Sequence, residues 1–229
     1  GANFANDYFD FKQGADTSAR LGPLRGTQAG LLTPRQVIAG MVVVFALAAL
    51  AGVYLVMAAG WPVLVIGVLS ILAALAYTGG PYPLGYHGLG EVFVFLFFGL
   101  AAVCGTYFVQ AQTLSPAAVW SAVPVGLLAM AILTVNNLRD IATDRISGKH
   151  TLAVRLGESG AVREYALWLA LAYLAPLAGF LSGALPAGVL LSWLSLPLAV
   201  RLARQVAVLR GRPLNRVLAG TAGVDSFVS

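Results

Sequence analysis

Charged side chains are scarce in this chain of 229 residues. Only 10% of its residues are Asp, Glu, Lys or Arg, whereas 59% are hydrophobic, and the mean hydropathy is +0.84. About a quarter of the residues of a typical soluble domain are charged. The composition therefore excludes an ordinary soluble globular domain and indicates a membrane protein.

Cysteine and histidine are scarcer still. The one cysteine, Cys104, excludes an internal disulfide, and its place in an apolar run is typical of a small buried hydrophobic residue. The two histidines, His87 and His150, match no zinc-binding spacing and have no cysteine partners. The sequence thus excludes a disulfide-stabilised fold and offers no zinc site.

Long hydrophobic runs are abundant, and they predict six membrane-spanning helices near the length of about 20 residues that a bilayer requires. The predicted spans are Val37–Ala59, Trp61–Tyr77, Glu91–Gln110, Ala117–Asn136, Glu164–Leu181 and Leu185–Ala203. A seventh run begins near Leu214, and both ends of the sequence read as truncated. We therefore expect an all-α, multi-span transmembrane bundle, with residues 1–229 forming a single domain cut at both ends.

Basic residues are confined to alternate loops. The 14 Lys and Arg residues fall in three stretches, at 12–35, 139–163 and 201–216. The short loops at Gly60, 111–116 and 182–186 carry no Lys or Arg, and they alternate with the basic stretches and with the loop at 78–90. Because basic residues concentrate on the cytoplasmic side of membrane proteins, the basic stretches and the loop at 78–90 are predicted to share that side.

Two acidic clusters lie about 130 residues apart in this apolar chain. Asn6, Asp7, Asp10 and Asp16 belong to the run NDYFDFKQGAD, and Asn136, Asn137, Asp140 and Asp144 belong to the run NNLRDIATD. The last two aspartates are four residues apart, so a helix would place both on one side. Paired carboxylates are costly in a membrane protein unless a cation neutralises them. Mg²⁺ usually binds one or two carboxylates together with substrate phosphates, so the clusters predict a magnesium–diphosphate site.

Basic and aromatic residues near these clusters suit the same chemistry. Arg25 follows the first cluster, and Lys149 and Arg155 follow the second; both side-chain types bind phosphate oxygens. Tyr77 and Tyr82 lie in or beside the loop at 78–90, together with a third tyrosine at 86. Their ring faces would stabilise an allylic carbocation, although an interfacial aromatic belt explains them equally well.

The two acidic runs resemble a known pair of motifs. NDYFDFKQGADT and DIATDRISGKHTLAVRLG are similar to the two aspartate-rich motifs of the UbiA superfamily of intramembrane aromatic prenyltransferases. The segments GPLRGTQAGLLTP and YTGGPYPLGYHGLGEVFVFLFFG most resemble the branch that acts on 1,4-dihydroxy-2-naphthoate. The resemblance implies nine helices around a central cavity in the full protein, of which about six are complete here.

The resemblance also implies a function. The expected reaction is the Mg²⁺-dependent transfer of a polyprenyl group from polyprenyl diphosphate to 1,4-dihydroxy-2-naphthoate, with loss of CO₂, in menaquinone synthesis. The expected location is the bacterial plasma (inner) membrane, with the active site facing the cytoplasm. The implied metal ligands are Asp7, Asp10, Asp140 and Asp144, of which the last three are also expected to be catalytic. The implied substrate contacts are Asn6, Arg25, Asn136, Asn137, Lys149, Arg155, Tyr77 and Tyr82.

Two alternatives stay open at this point. A superfamily member could use another aromatic acceptor, such as 4-hydroxybenzoate, homogentisate or a chlorophyll-type ring. A membrane transporter is the more distant alternative, since intramembrane carboxylates often mark ion pathways. The acids of this chain lie at one predicted face, however, and no ionisable residue interrupts the predicted spans near their middle. No nucleic-acid partner is expected, and the sequence leaves the oligomeric state open.

Overall fold

The structure, a computed structural model, describes residues 1–16 and 20–228, with side chains to residue 226. These ranges contain helices and no β-strand. The α-helices are α1 Ala2–Lys12, α2 Pro34–Ala59, α3 Trp61–Ala76, α4 Gly90–Val94, α5 Ala102–Ala111, α6 Pro116–Ile146, α7 Leu152–Leu181, α8 Leu196–Val208 and α9 Leu214–Val228. Leu84–His87 and Ala187–Ser195 form 3-10 helices, and a π-helical segment, Phe95–Ala101, joins α4 to α5.

Five of the described helical segments are long and apolar enough to cross a membrane. They are Pro34–Ala59, Gly90–Ala111, Pro116–Ile146, Leu152–Leu181 and Ala187–Val208. The apolar helix Trp61–Ala76 is shorter, with 16 residues. The predicted fold class is therefore confirmed: the chain is an all-helical, multi-span integral membrane protein.

Local sequence explains where the spans begin. The Thr33 hydroxyl accepts a hydrogen bond from the Gln36 N–H, and the Gln36 side chain accepts one in return from the Thr33 N–H, so the two residues form a capping box at the start of α2. Ser115 caps α6 in the same way through the Ala118 N–H, at 3.1 Å. Gly60 separates α2 from α3 with φ of 83°, a conformation that glycine adopts without strain.

Two predicted boundaries are wrong in a way that matters for the site. α6 ends at Ile146 rather than at Asn136, and α7 begins at Leu152 rather than at Glu164. Hydropathy falls where polar residues begin, but the backbone hydrogen bonds of α6 continue through the polar residues that face the cavity. In α7 the non-helical Gly157, with φ of 70°, separates a first short helical stretch from the rest of the helix. Helix α1 was not predicted at all, because it is too polar and too short to register as a span.

The packed core lies between α6, α7, α8 and α9. Leu128 and Val135 of α6, Tyr165 of α7, Val206 of α8 and Val217 of α9 are all fully buried within it. By contrast, α2 and α3 expose most of their apolar side chains, as expected of helices that face lipid.

Two glycines allow a close contact between the π-helical segment and α6. A Cβ added to Gly99, in the π-helical segment, would lie 2.6 Å from the Gly126 Cα of α6. Only glycine permits backbones to approach this closely. The Gly90–Ala111 segment therefore packs directly on α6 at this point.

The loops separate into two ends of the bundle. The His150 N–H donates to the Tyr86 carbonyl at 2.8 Å, and the Asn215 amide donates to the Leu21 carbonyl at 3.2 Å, so basic stretches and the 78–90 loop meet at one end. At the other end, the Gln112 side chain reaches the Ala58 carbonyl at 3.5 Å. This division matches the predicted separation of basic from uncharged loops.

Candidate active site

A cavity of about 570 Å³ opens at the end of the bundle where the basic loops meet. Most of its polar residues come from α1, from the loops that follow α1, α3 and α6, and from the last turns of α6. Its larger apolar residues are Phe93, Val94, Phe97, Phe98 and Leu133, and several alanines complete the apolar lining. Mostly apolar pockets with a few converging polar groups are the usual form of ligand sites. The cavity thus offers an ionic end and a hydrocarbon end.

Asp10 lies at the centre of the ionic end. One of its oxygens accepts hydrogen bonds from the Tyr86 hydroxyl at 2.7 Å and from the Lys149 ammonium at 3.1 Å. The other oxygen lies 3.8 Å from the Arg25 guanidinium. A carboxylate of the first motif is therefore held by a lysine just beyond the second motif, and the two motifs meet at one cavity.

Tyr86 is a member of this site that the sequence did not single out from its neighbours. The Lys149 ammonium lies 4.6 Å from the centre of its ring, an arrangement that attracts a cation to an aromatic face. Burial, with the Asp10 carboxylate adding to it, raises the pKa of the Tyr86 phenol above its ordinary value. Tyr86 therefore stays neutral at physiological pH and remains a hydrogen-bond donor.

Asp16 joins the site from the loop after α1. It forms an ion pair with Arg20, and its other oxygen lies 3.6 Å from the Arg25 Nε. Within the described residues, that oxygen and that nitrogen are both buried without a hydrogen-bond partner. Burial raises the pKa of the Asp16 carboxyl, although the Arg20 charge opposes this. Both atoms belong to residues that line the cavity, so the ionic end holds a carboxylate and a guanidinium whose hydrogen-bonding capacity is not fully used.

The second motif is organised by a buried arginine. Arg139, which is only 4% exposed, donates from Nε to Asp140 at 2.8 Å. It also donates to the side-chain oxygens of Asn136 and Asn215, each at 2.7 Å. The sequence placed Arg139 in a basic loop, but because α6 continues to Ile146 it is a helical residue that orients the motif.

Asp7 points away from the cavity. Its carboxylate accepts from the Gly26 N–H at 3.1 Å and from the Thr27 hydroxyl at 2.6 Å, and Asp7 does not line the cavity. These contacts hold the loop after α1 in place. Metal binding by Asp7 stays a prediction.

Tyr82 and Arg155 also lie outside the cavity lining. The Tyr82 ring stacks on His87 with 3.6 Å between ring centres. Arg155 donates to the carbonyls of His87, at 2.9 Å, and His150, at 3.1 Å. Arg155 thus ties the loop that carries Tyr86 to the segment that carries Lys149.

The remaining predicted residues do line the cavity. Asn6 accepts a hydrogen bond from the Thr78 hydroxyl at 3.0 Å, which ties α1 to the end of α3. Asn137 donates to the Glu91 carboxylate at 3.1 Å. Tyr77, Asn136, Asp140 and Asp144 are the other predicted residues in the lining.

The carboxylates suit a metal bound jointly with a ligand. Among the described residues, no three Asp, Glu, His or Cys side chains are close enough to hold a metal ion by themselves. Mg²⁺, however, usually takes one or two carboxylates and completes its shell with phosphate oxygens and water. Asp10, Asp140 and Asp144 all reach the cavity, so this donor set fits Mg²⁺ carried by a diphosphate.

Sequence comparison agrees with the geometry. The profile described as the UbiA prenyltransferase family matches residues 1–218. The chain belongs to the UbiA prenyltransferase family. The resemblance inferred from the two acidic motifs is thereby confirmed.

Several characterised relatives share a name. The 1,4-dihydroxy-2-naphthoate octaprenyltransferase of Escherichia coli is 45% identical over 174 residues, covering 73% of this chain and 56% of that protein. Its namesake in Bacillus subtilis is 30% identical over 227 residues, covering 98% of this chain and 73% of that protein. A 2-carboxy-1,4-naphthoquinone phytyltransferase of Synechocystis is 33% identical over 153 residues, covering 67% of this chain and 50% of that protein. The chain spans little more than half the length of the Escherichia coli relative.

Proposed function

We propose that this protein transfers a polyprenyl group from polyprenyl diphosphate to 1,4-dihydroxy-2-naphthoate in a Mg²⁺-dependent reaction that releases diphosphate and CO₂. The observation that carries the proposal is the 3.1 Å contact between Lys149 and Asp10, since it unites both acidic motifs at a cavity with an apolar end. The names of the naphthoate-using relatives favour this acceptor.

The ionic end suits the diphosphate. Asp10, Asp140 and Asp144 would hold Mg²⁺, which when bound neutralises charge that develops on the departing diphosphate. Lys149 and Arg25 offer cationic donors to the diphosphate oxygens. The sequence predicted Arg155 as a direct diphosphate contact. In this proposal Arg155 instead holds the loops around the site, because its two hydrogen bonds among the described residues go to backbone carbonyls.

The hydrocarbon end suits the prenyl chain. Phe93, Phe97 and Phe98 line it, and their rings would pack against isoprenoid carbons. In the reaction, the bond between the allylic carbon and the diphosphate oxygen breaks, and the electron pair leaves with diphosphate. A ring carbon of the acceptor then bonds to the allylic carbon in place of its carboxylate, which departs as CO₂ and returns its bonding electrons to the ring. The faces of Tyr77 and Tyr86 would stabilise the cationic carbon.

An acceptor panel tests the proposal. The full-length protein in membranes would be given polyprenyl diphosphate and Mg²⁺ with, in separate reactions, dihydroxynaphthoate, 4-hydroxybenzoate and homogentisate. We expect prenylated, decarboxylated product from dihydroxynaphthoate alone, and none when the metal is chelated. Product from another acceptor would replace the proposed substrate, and no product where a control enzyme succeeds would refute the activity.

The same proposal sets the protein in the bacterial plasma membrane with the cavity on the cytoplasmic side. Its support is the concentration of basic stretches at the end of the bundle where the cavity opens. Labelling of a cysteine introduced at Leu24, which is 79% exposed in the loop after α1, tests the orientation. Reaction in inverted vesicles but not in intact cells is expected, and the opposite pattern would reverse the topology.

A further inference from the structure

Two adjacent asparagines in the cavity wall are oriented by partners of opposite charge. The Asn136 side-chain oxygen accepts a hydrogen bond from Arg139 at 2.7 Å. Because a guanidinium only donates, the amide NH₂ of Asn136 is left for other contacts. Asn137 is turned the other way: its NH₂ donates to Glu91 at 3.1 Å, so its carbonyl oxygen is the atom left over.

The two asparagines also belong to different parts of the cavity. Asn136 lies four residues before Asp140, which lies four before Asp144, so these three residues share one face of α6. Asn137 lies four residues after Leu133, which lines the hydrocarbon end. Asn136 therefore presents a donor at the ionic end, and Asn137 presents an acceptor beside the apolar end.

Glu91 is an unusual residue to find in this position. It is only 3% exposed and lies in a segment long and apolar enough to cross the membrane. Among the described residues, its second oxygen is buried and has no hydrogen-bond partner. Ionisable residues inside membrane segments are costly and are commonly functional. In the part of the chain that the structure describes, Asn137 is the one side chain that hydrogen-bonds to Glu91. The Tyr77 hydroxyl lies next to the neighbouring Gly90, 2.8 Å from where a Cβ would stand.

We propose that Glu91 is a positioning residue, which turns the Asn137 carbonyl oxygen into the cavity to accept a hydrogen bond from a hydroxyl group of the aromatic acceptor. This inference rests on the proposed function and names the group that orients its second substrate. When it is ionised, Glu91 offers only acceptors to the Asn137 amide, and the ionised form therefore fixes which end of the amide faces the substrate.

A single substitution with a matched control tests the role. Glu91→Gln keeps the size of the side chain, but it can pair with either end of the Asn137 amide, so the orientation is no longer fixed. We expect the KM for the acceptor to rise by about two- to tenfold, from an amide that faces the substrate only half of the time to the loss of one hydrogen bond. The KM for polyprenyl diphosphate and the thermal midpoint should stay close to those of the parent protein.

Glu164→Gln provides the control. Glu164 is also a buried carboxylate with one unpartnered oxygen among the described residues, and it contacts the same helix one turn deeper, at Thr134. It does not line the cavity. We expect an unchanged acceptor KM, so an equal rise in both variants would show a general effect of removing buried charge and would overturn the proposal.

A swapped pair and a modified acceptor sharpen the test. Asn137→Asp alone places two carboxylates together and should weaken acceptor binding. Glu91→Gln combined with Asn137→Asp restores one amide facing one carboxylate and should restore acceptor binding.

Equilibrium binding should also show that the parent protein prefers the free hydroxyl of the acceptor over its methyl ether, and that Glu91→Gln reduces this preference. An unchanged preference in Glu91→Gln would overturn the role. An inactive parent protein would instead count against the proposed function.

Discussion

The two acidic motifs reach the same cavity by different means. The first lies on the 11-residue helix α1 and the loop after it. Contacts distant in sequence hold two of its aspartates, Asp7 by the 26–27 loop and Asp10 by Lys149, whereas Asp16 pairs with Arg20, four residues away. The second lies on the 31-residue helix α6, which is also the centre of the packed core. One motif is thus assembled from distant parts of the chain, and the other is carried by a single rigid element.

The two motifs also differ in how many of their aspartates face the cavity and how many hold a loop in place. Helix periodicity alone places Asp140 and Asp144 on one side of α6. On α1, by contrast, Asp7 and Asp10 are three residues apart, yet one carboxylate holds a loop and the other enters the cavity. We therefore expect substitutions in the second motif to act on chemistry, and those in the first to divide between chemistry and stability.

The largest expected effect is that of Asp140→Ala. Loss of a carboxylate proposed to hold Mg²⁺ should lower kcat by about 10³-fold, the upper end of the range for removing charge stabilisation from an active site. The fold should survive, because α6 is held by its apolar core. Steady-state turnover and circular dichroism measure the two effects, and near-normal turnover would contradict the metal assignment.

The second-largest effect is expected for Asp10→Asn, which should lower kcat by about 10²-fold. The amide would keep the size of the side chain but lose the charge that pairs with Lys149 at 3.1 Å. Its Mg²⁺ dependence should shift to higher concentration. Lys149→Met is the complementary variant, and we expect it to raise the KM for polyprenyl diphosphate with little change for the acceptor.

Asp7→Asn should affect stability more than chemistry. The carboxylate accepts from the Gly26 N–H and the Thr27 hydroxyl, and weakening these buried hydrogen bonds should cost about 1–3 kcal/mol. Thermal unfolding in detergent should show the loss, while kcat measured well below the transition changes less than in Asp10→Asn. A kcat loss as large as that of Asp10→Asn, without destabilisation, would instead support Asp7 as a metal ligand.

The smallest effect is expected for Tyr82→Phe. The Tyr82 ring stacks on His87 outside the cavity lining, and its side chain is 57% exposed. Removing the hydroxyl keeps the stack, so turnover and stability should stay within about twofold of the parent protein, as for most surface changes. A clear fall in turnover would support Tyr82 as a substrate contact.

The matched variant Tyr86→Phe removes the 2.7 Å hydrogen bond to Asp10, and its turnover should be visibly lower than that of the parent protein.

The sequence predicted most of the spans because their physical cause is local. All the apolar runs but Trp61–Ala76 are long enough to cross a bilayer, and Gly and Pro residues limit several of them. The same reasoning ended the fourth span at Asn136, although α6 continues to Ile146. Hydropathy reports the preference of side chains for lipid, and this preference disappears where a helix leaves lipid to line a polar cavity.

The sequence predicted which residues belong to the site, but not how they contact one another. The motifs identified Asp10, Asp140 and Asp144, and the structure brings all three to the cavity. The roles of Arg139 and Glu91 lay outside sequence reasoning, since one reads as a loop cation and the other as the polar end of a span. Their contacts with Asn136 and Asn137 depend on how α4, α6 and the loops pack together.

The sequence by itself determined that this is a multi-span membrane protein with two carboxylate motifs of the UbiA family, because hydropathy, charge and motif spacing are properties of short stretches of chain. Only the tertiary structure decided which carboxylates face the cavity, that Asp7 holds a loop, and which end of each asparagine amide is free. Those outcomes depend on hydrogen-bond partners as far as 139 residues away along the chain. Hydrogen bonds require close and directional contact, and only packing can bring such distant groups together.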